Sequence, residues 1–154
     1  MDKQSLPENA VAIVGIACRF PGARNLEMYW NNLREGRESI AFFSEDEIDA
    51  SIPEEIKSRP NYVRAKGKLD DADKFDAAFF DIPPLEASLM DPQQRLLLEL
   101  SWAALEDAGI IPGEGDNLVG VWVGTNWNRY YARHVRGSAA EQRFGEFNTQ
   151  LANE

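Results

Sequence analysis

One cysteine and one histidine are all that the 154 residues hold of those two types. A lone Cys18 permits no internal disulfide, which fits a reducing compartment, and the cytoplasm is the expected location. With His134 it falls short of the roughly four nitrogen or sulfur ligands that a structural zinc takes, so no metal is expected. Long apolar runs are also missing. Residues 1–9 are polar and the apolar stretch after them is too short to span a membrane, and no signal peptide is visible. Basic residues are outnumbered, 16 Lys and Arg against 26 Asp and Glu, for a net charge of −10. Such a charge repels phosphate backbones and anionic lipid, so neither nucleic acid nor membrane is an expected partner. The one basic cluster, Lys57, Arg59, Arg64, Lys66 and Lys68 around Pro60 and Tyr62, reads as a solvated loop.

What is present begins with a clearly written helix start at Met90-Asp91-Pro92-Gln93-Gln94-Arg95. Asp91 suits the N-cap, where its carboxylate accepts from a free backbone N–H. Pro92 falls at the first helical position, where a missing N–H costs nothing. Gln94 falls where a side chain can reach back to the cap. The helix runs through Trp102 and Leu105 and stops at Gly109, the expected left-handed residue. Arg95, Glu99 and Glu106 share one narrow stripe and nearly all else is apolar, which predicts a helix buried in a larger body. Further up the chain, Asn25 caps a helix whose Leu26, Tyr29, Trp30 and Leu33 fall on one face, ended by Gly36. Ser44-Glu45-Asp46-Glu47 is a capping box ahead of a short acidic helix.

Residues 10–17 and 118–124 are continuous apolar runs, each read as a strand covered on both faces in a parallel sheet. Residues 53–68 read as mostly irregular, residues 84–89 as one short helical turn, and 125–131 as a polar aromatic loop. Residues 138–154 read as partly helical. The order strand, helix, long insertion, helix, strand is an α/β layout. Two strands cannot bury helices of this hydrophobicity. With no stop signal near residue 154, the chain is expected to be cut from something longer.

No complete catalytic constellation is visible. Cys18 closes an apolar run beside Arg19 and reads as a small buried core residue. His134 lies between Arg133 and Arg136 and reads as a surface side chain. Gly120-Val121-Trp122-Val123-Gly124 is no phosphate loop, since its glycines lie inside an apolar run and no P-loop lysine comes after them. Glycine there suggests close approach of another backbone. The carboxylates of Glu45 to Asp49 and Asp70 to Asp73 read as solvated faces.

These stretches together resemble the N-terminal part of a β-ketoacyl synthase domain of type I modular polyketide synthases. The resemblance rests on Val11-Ala12-Ile13-Val14-Gly15-Ile16-Ala17-Cys18-Arg19-Phe20-Pro21-Gly22, Tyr29-Trp30-Asn31-Asn32-Leu33-Arg34-Glu35-Gly36 and Phe75-Asp76-Ala77-Ala78-Phe79-Phe80. It continues through Met90-Asp91-Pro92-Gln93-Gln94-Arg95-Leu96-Leu97-Leu98-Glu99, Trp102-Ala103-Ala104-Leu105-Glu106-Asp107-Ala108-Gly109 and Gly120-Val121-Trp122-Val123-Gly124, in family order and spacing. Two departures come after the paired phenylalanines. Asp81-Ile82-Pro83-Pro84 stands where the family has Gly-Ile-Ser-Pro, and Leu85 stands where a basic residue is common.

The resemblance implies an α/β, thiolase-like fold of αβαβα layers, here only part of its N-terminal half, with residues 1–9 a disordered lead-in and 10–154 the opening portion, truncated before the nucleophile. It implies a homodimer in the full-length enzyme and a decarboxylative Claisen condensation between an acyl thioester and a malonyl-type unit. Both units ride on the phosphopantetheine of acyl carrier protein, and no cofactor is bound directly. The family cysteine lies in a Thr-Ala-Cys-Ser-type turn and its two histidines come later, so no catalytic residue falls in this chain and Cys18 is not the nucleophile. Thr125, Asn126 and Trp127 are placed by the resemblance on a loop toward the acyl pocket and dimer face. A rival expectation is a non-catalytic truncated ketosynthase remnant that acts as an interaction module.

Overall fold

A computed structural model describes residues 7, 9–114, 118–127 and 129–145. The chain divides into two units, one made of residues 18–72 and the other of residues up to 17 together with those from 73 onward.

The smaller unit is built on α1 (Leu26–Glu35), a two-stranded antiparallel sheet of β1 (Ile40–Phe42) and β2 (Ala65–Gly67), a 3₁₀ turn at Glu45–Glu47, and α2 (Glu54–Lys57). Asn25 caps α1 as expected, its Oδ1 accepting from the Met28 N–H at 2.9 Å. Gly36 ends the helix at φ 63°, with its own N–H on Leu33 O and the next N–H, of Arg37, on Asn32 O. The Glu47 carboxylate accepts from both the N–H and the Oγ of Ser44, at 3.0 and 2.9 Å. Those two bonds hold the Glu47 carboxyl below its usual range. Beyond Ser44 the chain makes a single 3₁₀ turn rather than the acidic helix the capping box suggested.

The sheet and α2 include stretches that the sequence presents as irregular. Ala65-Lys66-Gly67 has neither β-branching nor alternation, so only its pairing with Ile40–Phe42 makes it a strand. The basic cluster is anchored to its surroundings: Arg64 Nη2 meets Glu45 Oε1 at 2.6 Å, and Lys66 Nζ sits 5.3 Å over the Phe43 ring.

The larger unit contains α3 (Pro84–Leu89), α4 (Pro92–Asp107), a π-helical turn at Tyr131–Val135, and α5 (Ala139–Phe144), which packs on α3. Leu89 and Val135 are fully buried, and Ala87 and Met90 are buried as well. At its C-terminus α4 closes as the sequence indicates. Gly109 takes φ 66°, its N–H reaches Glu106 O at 3.0 Å, and the Ile110 N–H reaches Leu105 O at 2.9 Å. Residues 75–80 fold into a turn whose aromatics seat it on α4. Phe75 stacks on Phe80, and Phe79 meets Phe80 and Trp102 edge-on, each at 4.9 Å between centroids. Asp81, where the resembled pattern has glycine, holds φ 54°, a left-handed conformation that a short acidic side chain tolerates better than most.

Three sequence expectations are corrected here. Residues 10–17 and 118–124 are not buried strands of a parallel sheet. They run without strand pairing among the described residues, and Val11, Ile13, Val119, Val121 and Trp122 are exposed. Apolar sequence supplies the demand for cover on both faces, but a strand also needs neighbours to complete its ladder. The first run is held against α4. The Ile16 N–H donates to Asp107 Oδ2 at 2.9 Å, and Gly15 lies so close to α4 that a β-carbon there would collide with the Ala104 carbonyl and stand 2.8 Å from Ala108 Cβ. In the second run, the close neighbour of Gly120 is the Trp122 ring, not another backbone.

The second correction concerns α4. It is not buried around its circumference, since Leu97 and Trp102 are both 37% exposed. Arg95, placed by periodicity on the polar stripe, is instead its one buried residue. Cys18, expected in the core, is a free thiol of intermediate exposure. The lead-in at residues 1–9 and the tail from 146 onward fall largely outside the described residues.

Candidate functional site

The loop Thr125-Asn126-Trp127 meets the N-terminus of α4. Asp91 is buried and its Oδ1 accepts from the Gln93 N–H at 2.8 Å, so the cap forms as the sequence predicts. The reach-back comes from a different residue than expected. Gln93 Nε2 donates to Asp91 Oδ2 at 3.2 Å, while the Oε1 of Gln94 is buried without a hydrogen-bond partner. A proline at the first position removes one donor, so the cap bond goes to the next N–H and brings the Gln93 side chain alongside the Asp91 carboxylate. Replacing Asp91 by alanine is expected to destabilise the helix start by about 1 kcal/mol, the usual loss for such a cap. A thermal midpoint unchanged by Asp91→Ala in the intact domain would show that the helix begins elsewhere.

Gln93 then turns its other end to the loop: its Oε1 accepts from the Asn126 N–H at 3.1 Å. Asn126 Oδ1 accepts in turn from the Trp127 N–H at 2.7 Å. The structure thus brings Asn126 and Trp127 to the helix start, and Trp127 is 86% exposed. Thr125 is exposed at the loop's entry. Asp91, Gln93, Trp127, Tyr130, Arg133 and His134 line one open depression there. His134 is exposed, as expected, with its ring 5.2 Å from that of Tyr130.

Behind the depression lies a polar framework that the sequence did not reveal. Arg95 donates from Nη1 to Asp73 O at 3.3 Å and places its guanidinium 5.8 Å over the Tyr130 ring. The Tyr130 hydroxyl donates to Ser88 O at 3.0 Å. Glu141 is buried, with Oε1 accepting from the Tyr131 hydroxyl at 2.7 Å and Oε2 from the Gly137 N–H at 2.6 Å. The Tyr131 hydroxyl first, then the Gly137 amide and the charge of Arg136, hold the Glu141 carboxyl below its usual range. Its own N–H bonds Ser138 Oγ, the cap of α5, at 3.1 Å. The two tyrosine bonds join residues that are 42 and 10 positions apart, and no local pattern announces them. Of these side chains, Tyr130 also lines the depression, and its bond to Ser88 O ties that wall to α3. Among the described residues, no three His, Cys, Asp or Glu side chains gather as a metal site.

Comparison with known proteins gives the family. A model described as the β-ketoacyl synthase N-terminal domain matches residues 8–153. The chain belongs to that family. It is 49% identical over 131 residues to a component of the phenolphthiocerol/phthiocerol polyketide synthase of Mycobacterium tuberculosis, a match that covers 84% of this chain and 9% of that protein. Polyketide synthase PksN of Bacillus subtilis is 50% identical over 116 residues, covering 73% of this chain and 2% of its own length.

Among solved structures, ketosynthase twelve of the bacillaene polyketide synthase in Bacillus amyloliquefaciens is 52% identical with a TM-score of 0.55, covering 64% of this chain and 18% of its own. The ketosynthase from module 6 of the bacillaene synthase from Bacillus subtilis 168 is 43% identical with a TM-score of 0.54, covering 64% of this chain and 16% of its own. The fold is accordingly part of the N-terminal half of the thiolase-like ketosynthase fold. The chain spans less than a tenth of the curated relatives named here and under a fifth of these ketosynthase chains. No helix among the described residues is long and apolar enough to cross a membrane.

Proposed function

We propose that this chain is the opening segment of a polyketide β-ketoacyl synthase. In full length that enzyme joins an acyl thioester to a malonyl-type unit by decarboxylative condensation. The observation that carries the reading is the family match over residues 8–153 together with 52% identity to a ketosynthase of matching fold. The partner in this reading is an acyl carrier protein domain, whose phosphopantetheine arm delivers both acyl units, and the complete enzyme is a cytoplasmic homodimer. The loop Thr125-Asn126-Trp127 faces the acyl pocket or dimer side of that enzyme, a role supported by its exposed tryptophan and its fixed attachment to α4.

The segment alone is inactive in this reading. The condensation needs a cysteine in a Thr-Ala-Cys-Ser-type turn and two histidines, and the chain has one histidine and a cysteine in Ala17-Cys18-Arg19. The test is the reading frame beyond Glu154. A frame that continues into such a cysteine turn and two later histidines is the expected result. A stop codon directly after Glu154 would overturn it in favour of a remnant that works as an interaction module.

A further inference from the structure

We propose that Gln93 is a positioning residue that sets the 125–127 loop against the start of α4. That this loop matters to acyl handling rests on the ketosynthase reading above. The positioning itself rests on geometry. The Gln93 side chain is hydrogen-bonded to the Asp91 cap at one end and to the Asn126 backbone at the other. Its Nε2 can only donate and its Oε1 can only accept. Asp91 Oδ2 requires a donor and the Asn126 N–H requires an acceptor, so the amide can take one orientation only. Asp91 is 5% exposed and already fixed by the Gln93 N–H, so the amide is anchored at its cap end. The neighbouring Gln94 offers a control within the same turn, because its buried Oε1 has no hydrogen-bond partner.

The relay links the packed part of the larger unit to a highly exposed aromatic residue. On one side stand Asp91 and the buried Met90 and Leu89. On the other, Asn126 Oδ1 accepts the Trp127 N–H, and the Trp127 carbonyl accepts from the Arg129 N–H at 2.9 Å. Gln93 and Trp127 line the same depression. A change in the Gln93 amide therefore alters where the Trp127 side of that depression sits, while the hydrophobic packing of α4 is left in place.

The test is hydrogen exchange at the Asn126 amide, read by mass spectrometry on the full-length protein that carries this segment and on its Gln93→Leu, Gln93→Glu and Gln94→Leu variants. Exchange is quenched before digestion, so it reads on associated chains as well as on monomers. Gln93→Leu is expected to exchange about fivefold faster at Asn126, the factor that a typical net hydrogen-bond contribution produces. Gln94→Leu is expected to match the wild type. Gln93→Glu keeps the acceptor for Asn126 but sets a second carboxylate beside Asp91, and the like charge raises the pKa of the new glutamate above its usual value of about 4.3. At a pH of about 7.5 its protection should fall between wild type and Gln93→Leu. At a pH of about 5 it should approach wild type, as the new carboxyl gains a proton and donates it to Asp91.

A general loosening of α4 would not give that pH dependence. An Asn126 amide that exchanges alike in wild type and Gln93→Leu, whether fast or slow, overturns the proposal. So does a Gln94→Leu variant as fast as Gln93→Leu. A stop codon after Glu154 would remove the ketosynthase reading and leave the exchange result standing, so the two fail separately.

Discussion

Expressed alone, the 154-residue chain is expected to associate or stay in a loosely ordered compact state, and not to give a stable monomer. Two apolar runs carry this expectation. Val11 is 93% exposed and Trp122 90%, and neither run has a strand partner among the described residues. Extended backbone with open N–H and C=O groups is a template for pairing with another chain. Contiguous apolar surface adds a second drive in the same direction. The core is small: among the described residues the buried hydrophobic ones are Ala23, Ala87, Leu89, Met90 and Val135, too few to offset the conformational entropy of ordering both units. Size-exclusion chromatography and a heat-unfolding scan check it. The expected record is early elution or insolubility, a broad transition, and binding of a hydrophobic dye. A monodisperse monomer with a sharp cooperative transition would mean that the chain is self-sufficient, and would favour the interaction module.

The features legible in the sequence are those decided within one turn of chain. Asn25 and Asp91 act as caps, and Gly36 and Gly109 take left-handed φ, because capping and chain reversal involve only the backbone a few residues away. The short helix at Pro84–Leu89 is legible for the same reason. Strands are not decided so locally. The apolar runs at 10–17 and 118–124 have the composition of buried strands, yet strand pairing depends on segments elsewhere, and none pairs with them among the described residues. The converse holds for Ile40–Phe42 and Ala65–Gly67, whose three-residue length gives periodicity nothing to register but whose register is fixed by each other.

The site divides in the same way. The motif points to the helix start and to the 125–127 loop separately. The bond that joins them, Gln93 Oε1 to the Asn126 N–H, spans 33 residues and has no local signature. Arg95 shows why periodicity misleads at such places. A charged residue on an otherwise apolar helix reads as the solvent stripe, whereas here its guanidinium lies over Tyr130 and its Nη1 on Asp73 O, with Nε buried and unpartnered. The departure at Asp81, where the family pattern has glycine, is by contrast explained as soon as φ is known, since Asp81 keeps the left-handed backbone that a glycine would supply.

The isolated chain is expected to form no β-ketoacyl product. Condensation by the proposed route first moves the acyl group from a carrier thioester to a cysteine thiolate, releasing the carrier thiol. The malonyl unit then loses carbon dioxide and its carbanion attacks the enzyme thioester, with histidines stabilising the charge that develops. One histidine cannot fill two roles, and His134 lies exposed between Arg133 and Val135 with Tyr130 as its ring neighbour. Cys18 is a free cysteine of intermediate exposure, but the family nucleophile occupies a different motif. Removing nucleophile and histidines together takes away the covalent step itself, so the expected rate is the uncatalysed one. Incubation of the chain with acyl- and malonyl-loaded carrier proteins, followed by mass analysis of the carrier, reads the outcome. Product that disappears in Cys18→Ala would make Cys18 a nucleophile and overturn the assignment. Product that survives Cys18→Ala would require a different chemistry on this chain.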